Sequence, residues 1–152
     1  MRNALFIVSN PLTFYARRYA LAVSVLCFRV GGECATDQVL YNLKNRGVEY
    51  DLIPWCASRR MPVMAYTPLG EGRLKDDSTL ACIARRHGAT PVQVMLAWVM
   101  RGGNVVAIPK ASSVAHVEEN AKSLGLTLAE DELRRIDAAF PPPSGKVPLA
   151  GW

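Results

Sequence analysis

The chain is poor in the residues that build metal sites and disulfide frameworks. It holds two histidines, His87 and His116, and four cysteines, at 27, 34, 56 and 82. No cysteine pair has C-x-x-C spacing, and neither histidine lies at a zinc-site distance from one. No metal is therefore expected. Four thiols in 152 residues that are 50% apolar do not describe a small disulfide-stapled scaffold. Reduced, partly buried thiols in a cytoplasmic protein are the expectation. Long apolar runs are also lacking. The uncharged run Tyr19–Phe28 has ten residues, where a membrane span needs about 20. Arg17 and Arg18 precede it as in a secretory leader, but Arg29 follows at once and no small-x-small cleavage site closes it. A buried strand or helix fits better, and its spacing allows both: Leu21, Val23 and Val25 alternate, while Leu21, Val25 and Phe28 fall on one helical face.

Charge of one sign is in mild excess, +5. Arg2, Arg17, Arg18 and Arg29 stand against Glu33 alone, so residues 1–33 carry +3 of it and the remainder is nearly balanced. A nucleic-acid binder needs a basic face interleaved with aromatics. The arginine pairs at 59–60, 85–86 and 134–135 instead fall near expected helix ends, where cations complement the helix dipole. Neither nucleic acid nor a membrane is an expected partner. Length is the last shortage. One domain fits 152 residues, whereas a complete (β/α)8 barrel takes roughly 200–250 or more.

From residue 34 the pattern alternates between strands and helices. Thr36–Tyr41 is an expected strand, and Asp51–Arg59 a short helix with Pro54 in its first turn. Pro62–Tyr66 (PVMAY) reads as a strand covered on both faces, followed by a loop marked by Pro68, Gly70 and Gly72. Asp77 or Ser78 caps a helix to about Arg86, which His87-Gly88 ends. Thr90-Pro91 opens a helix that is apolar nearly all round and must be buried. Val105–Ile108 is the next strand. Ser112 or Ser113 opens a helix to about Ser123. Thr127-x-x-Glu130 has capping-box spacing for a last helix, with Leu128, Leu133, Ile136 and Ala139 inward, stopped by Pro141–Pro143. The tail from Ser144 is expected to be extended. Apolar strands between helices imply an α/β fold with a parallel sheet. Three strands leave two open edges, through which self-association is possible.

Four blocks in this stretch carry a resemblance: ATDQVLYN at 35–42, GVEYDLIPWC at 47–56, PVMAYTPLGEGRL at 62–74, and the long block at 90–128 beginning TPVQVMLAWVM. Their order and spacing are similar to the C-terminal portion of the aldo-keto reductase superfamily, in its bacterial branch, over residues 34–149. The resemblance implies the last three β/α units of a (β/α)8 TIM barrel, here a partial one, with residues 1–33 as an atypical N-terminal segment and 34–152 as the barrel part. Val8-Ser9-Asn10 resembles the family's fifth strand. The implied chemistry is hydride transfer from NADPH or NADH to an aldehyde or ketone, a small-molecule carbonyl substrate. A tyrosine acts as general acid, tuned by a lysine and an aspartate, and a histidine orients the carbonyl. Those four residues belong to earlier strands. The F-D-T-A-plus-tyrosine segment and the strand histidine do not occur in this sequence, so no catalytic residue is assigned.

The resemblance does assign cofactor contacts. Gln38 matches the glutamine on the nicotinamide carboxamide, with Asp37 beside it where asparagine is usual. Tyr66 matches the aromatic residue that stacks on the nicotinamide ring. Thr67, Leu69 and Gly70 continue into the loop over the pyrophosphate, whose amides suit an anion. Lys110 matches the ribose or 2′-phosphate contact, and Ser112 and Ser113 donate to phosphate near a helix N-terminus. Glu119 and Asn120 match the adenine edge. Ala111 replaces a usual serine or threonine, and His116 a usual arginine, so the preference for NADPH over NADH stays open. The expected protein is a truncated aldo/keto reductase-like oxidoreductase without the catalytic tetrad, inactive alone. The alternative is a non-catalytic nucleotide-binding or interaction module that pairs with another chain.

Overall fold

The computed structural model describes residues 34–150. The Tyr19–Phe28 and Val8–Asn10 expectations lie outside these residues.

Three short strands form a parallel sheet in the order β1 (Asp37–Leu40), β2 (Val63–Tyr66), β3 (Val105–Ala107). Asp37 pairs with Val63, and Val63 with Val105, so all three start level. Helix α1 (Leu52–Ser58) joins β1 to β2. Helices α2 (Ser78–Arg86) and α3 (Pro91–Met100) join β2 to β3, and α4 (Val114–Lys122) and α5 (Glu130–Ala139) follow. The result is a partial (β/α)8 barrel.

Local chemistry explains most element ends. Asp77, not Ser78, caps α2, and its carboxylate accepts from the Thr79 and Leu80 amides at 2.9 and 3.0 Å. Gly88, with φ +59, closes that helix in a Schellman turn: its amide donates to the Arg85 carbonyl, and that of Ala89 to Ala84. Thr90 and Gln93 form a reciprocal capping box at the start of α3, with Pro91 in its first turn. The expected box at Thr127-x-x-Glu130 is corrected. The last helix starts later, after Ala129, and Glu132 reaches back to the Ala129 amide at 2.9 Å. The match of spacing misled because the buried Glu132 has a better tertiary position than Glu130. Two further corrections follow from that shift. Ala139 is exposed rather than inward, and Arg134-Arg135 lie within α5, where Arg134 faces Glu130 one turn back at 3.9 Å.

The core lies on one face of the sheet. Val39, Val63 and Ala65 are buried there against Val94, Met95 and Trp98 of α3, with Leu80, Ile83 and Ile136 completing the layer. As its composition demanded, α3 is buried from Gln93 to Val99. Trp98 is wholly buried, 5.4 Å from the ring of Tyr41, with the guanidinium groups of Arg101 and Arg46 at 4.0 and 4.8 Å from its ring centroid. These cations are paired. Arg46 binds Glu49 and Asp137 at 2.8 Å and donates to the Phe140 carbonyl, while Arg101 and the Tyr41 hydroxyl both reach Glu49, at 3.0 and 2.6 Å. Burial would raise the Glu49 pKa, but these donors hold it below the ordinary carboxylate range. The network joins the loop after β1 to the ends of α3 and α5. The C-terminal tail closes over the same loop through Lys146 to Asp51 at 2.8 Å and Val147 against Gly47, where a methyl group in place of the glycine hydrogen would overlap the valine.

Glu132 is a second anchor. Its carboxylate, 2% exposed, accepts from the Ala129 amide, meets His87 Nε2 at 2.9 Å and Arg86 at 3.3 Å, and so ties α5 to the end of α2. Burial opposes its charge, but the amide, His87 and Arg86 together lower its pKa below the ordinary 4.5. A carboxylate lowered in the folded state contributes stability above its unfolded pKa, and that stability is lost as pH falls through the folded value. Glu132→Gln is expected to cost about 1–3 kcal/mol at pH 7. In urea titrations the gap to the unaltered chain should shrink as pH drops below the ordinary 4.5; a gap independent of pH would contradict this assignment.

Candidate functional site

Parallel strands place their carboxyl ends together, and α/β sheets bind ligands at that end. Here Thr67 follows β2, Ile108 follows β3, and Tyr41 and Asn42 follow β1, all at one end of the sheet. Among the described residues, the helices cover one face of the sheet and leave the other open. Gln38 pairs with Met64, Leu40 with Tyr66, and Met64 with Val106, so these five side chains project on the side that the helices leave uncovered. Val106 is 48% exposed, whereas Val63 and Ala65 on the other face are fully buried. The expectation that PVMAY is covered on both faces is thus corrected for the described residues.

Gln38 and Tyr66 therefore share the open face, Gln38 near the start of β1 and Tyr66 at the end of β2. Partial burial raises the Tyr66 phenol above its ordinary pKa, so it is neutral at pH 7. Thr67 and Gly70 both have left-handed backbone, φ 51 and φ 56. The Thr67 carbonyl accepts from the Gly70 amide at 3.0 Å. Leu69 turns its side chain toward the core, and its carbonyl accepts from Gly72 at 3.0 Å.

The segment after β3 carries the second group. Lys110 is exposed and has no ion pair among the described residues. Ser112 is exposed. Ser113 is the cap of α4, its hydroxyl accepting from the His116 amide at 3.3 Å, and His116 sits exposed in the first turn. Glu119 and Asn120 lie in the second half of α4, and Glu119 binds inward. The Thr90 hydroxyl donates to the Glu119 carboxylate at 2.8 Å, and Gln93 Nε2 donates to the Glu119 carbonyl at 3.1 Å. The Asn120 carbonyl accepts from Ser123 at 2.6 Å.

The structure thus places Tyr66, Thr67 and Gly70 at one sheet end, with Gln38 on the same face two residues back along β1, and Lys110, Ser112, Ser113 and His116 around one helix start. Leu69 packs on the core, Glu119 bonds to Thr90 and Gln93 at the start of α3, and the Asn120 carbonyl meets Ser123 in its own segment. Asn42 was missed by inspection of the sequence. Its Nδ2 donates to the Thr67 carbonyl at 3.0 Å across 25 residues of chain, and no local pattern signals such a bond. Among the described residues no three metal-ligating side chains converge, and no helix is long and apolar enough to cross a membrane. Cys56 is buried, and burial with Asp37 nearby pushes its thiol up to about 11, which keeps it an unreactive thiol at neutral pH.

The model of the aldo/keto reductase family matches residues 31–140, most of the chain. The chain belongs to that family. Methylglyoxal reductase YeaE of Escherichia coli is 48% identical over 124 residues, which cover 78% of this chain and 44% of the relative. Pyridoxine 4-dehydrogenase of E. coli is 38% identical over 104 residues, covering 68% of this chain and 32% of the relative. An aldo-keto reductase from Klebsiella pneumoniae, crystallised with NADPH, superposes with TM-score 0.74 at 48% identity, over 78% of this chain and 44% of that one. The chain spans less than half the length of these family members.

Thr67 is β-branched in a left-handed conformation, which costs of the order of 1–3 kcal/mol. Glycine adopts it freely at a smaller cost in chain entropy. Thr67→Gly is expected to raise stability by about 1 kcal/mol, read as a higher midpoint in thermal unfolding. A lower midpoint would show that the Thr67 side chain contributes more than the backbone costs.

Proposed function

We propose that this aldo/keto reductase family chain carries the C-terminal part of a nicotinamide cofactor site and performs no carbonyl reduction by itself. The observation that carries the reading is the grouping of Tyr66, Thr67 and Gly70 with Lys110 and the start of α4 at one end of the parallel sheet. The residues present fit a dinucleotide. Tyr66 supplies an aromatic ring and Gln38 a carboxamide on the same face of the sheet, the residue types that a nicotinamide ring and its carboxamide would meet. The Thr67–Gly70 turn bends the backbone where a pyrophosphate would pass. Lys110 with Ser112, His116 and the amides of the first turn of α4 offers positive charge and donors to a ribose phosphate. When bound, the cofactor supplies hydride to an aldehyde or ketone. NADP is the favoured form, in line with the NADPH in the Klebsiella structure, and a small carbonyl compound and a cytoplasmic setting accompany the family reaction.

These residues bind and orient. On this reading none is the proton donor to a carbonyl oxygen; that role falls to the family's aspartate, tyrosine, lysine and histidine, which belong to earlier strands of the barrel. A second reading is favoured by one observation, the 48% exposure of Val106 on the sheet face that the described helices do not cover: the chain serves as a non-catalytic module that another chain completes. The experiment for both is the same preparation. NADPH should quench its Trp fluorescence, Lys110→Ala should weaken that binding about tenfold, and NADPH oxidation with a generic aldehyde should not exceed the buffer rate. Turnover at ordinary rates would refute the non-catalytic assignment, and absence of quenching would refute the cofactor site.

A further inference from the structure

The turn after Tyr66 is held in a conformation that its own residues disfavour. Thr67 is β-branched, precedes Pro68 and has φ 51. Branching at Cβ is strained in the left-handed region, and a residue before proline prefers extended backbone. Such a conformation lasts only where its surroundings over-determine it. Two donors meet the Thr67 carbonyl. One is the Gly70 amide at 3.0 Å, from within the loop. The other is Asn42 Nδ2 at 3.0 Å, from the end of the neighbouring strand.

Asn42 is suited to act as a brace. It is 1% exposed, and its amide oxygen is fully engaged, accepting from the Lys44 and Asn45 amides at 3.0 Å and from Asn45 Nδ2 at 3.1 Å. Its backbone exchanges hydrogen bonds with Asn45. One end of this short planar group is therefore fixed by the turn after β1, and the other fixes the Thr67–Pro68 peptide, one residue beyond Tyr66. A β-carbon on Gly70 would have the Asn42 side chain as its nearest neighbour, at 3.9 Å, so Asn42 borders the whole turn. The geometry needs a donor and an acceptor on opposite sides of one rigid group. Aspartate offers the acceptor only and would set a carboxylate oxygen against the Thr67 carbonyl.

We propose that Asn42 is a positioning residue for the cofactor site: its amide N–H sets the Thr67–Pro68 peptide, one residue beyond Tyr66, and with it the path of the 67–70 loop and the end of the strand that carries the Tyr66 ring. The inference rests on the reading of Tyr66 and that loop as cofactor contacts. Asn42 touches no cofactor atom and acts through Thr67.

Asn42→Asp in the full chain is the test, because it keeps the acceptor for Lys44 and Asn45 and removes only the donor to Thr67. Amide hydrogen exchange at Gly70, without cofactor, should become at least about tenfold faster, while protection through α3 is unchanged. The NADPH Kd from Trp quenching should rise about tenfold. Ile136→Val, a remote core change, should leave both quantities in place. Glycine at 67 needs no brace, so in a Thr67→Gly background the same Asn42→Asp change should shift the Kd by less than about twofold. If Asn42→Asp does not fold, Asn42→Ser is read by the same two measurements. NADPH binding by the unaltered chain that Asn42→Asp leaves intact would overturn this proposal alone, as would a full loss that Thr67→Gly does not relieve. No NADPH binding by the unaltered chain would overturn the cofactor reading, and this proposal with it.

Discussion

A three-stranded parallel sheet with helices on one side governs what the other residues can do. Parallel strands are ordinarily buried on both faces. Among the described residues the odd-numbered positions Val39, Val63 and Ala65 sink into the helical layer, and the even-numbered Gln38, Met64, Tyr66 and Val106 lie on the other face. The apolar core gathers on the first set. Everything offered to a ligand lies on the second set or at the carboxyl ends of the strands. The pleat separates the two roles residue by residue, so a core change at 65 and a site change at 66 act on different sides of the same strand.

The buried side is closed by polar groups as much as by apolar ones. Trp98 fills the layer beneath the sheet, and Arg46 and Arg101 lie against its ring, with Glu49 and Asp137 neutralising them. Removing one partner from such a network leaves a buried charge, which is costlier than deleting the set. The indole N–H of Trp98 has no hydrogen-bond partner among the described residues, so packing and the adjacent cations account for its place. The Arg46 network and the Glu132 anchor fasten α5 at its two ends, one to the loop after β1 and the other to α2.

Most of the element pattern was legible in the sequence, and the reason is locality. A cap acts over three residues, a Schellman glycine over five and apolar periodicity over one or two turns. The Asp77 and Thr90 caps, the buried α3 and the stop at Pro141 all follow from such short-range signals. Where two local signals competed, the neighbouring element decided. Thr127-x-x-Glu130 had the right spacing, but His87 and Arg86, more than forty residues away, favour Glu132 as the residue that turns back on the helix start.

The candidate site divides in the same way. The sequence by itself determined the family, through blocks of residues in a fixed order. It also determined which residue types were on hand: an aromatic ring, a lysine, serines at a helix start. Tertiary structure alone decided which of them face outward together. Glu119 turns to Thr90 and Leu69 to the core, while Tyr66 and Gln38 come to share an open sheet face. It also brought in Asn42, whose bond to Thr67 spans two strand ends. The physical reason is that a side chain's direction is set by pleat, register and the partner available to its polar atoms, and those partners lie tens of residues away.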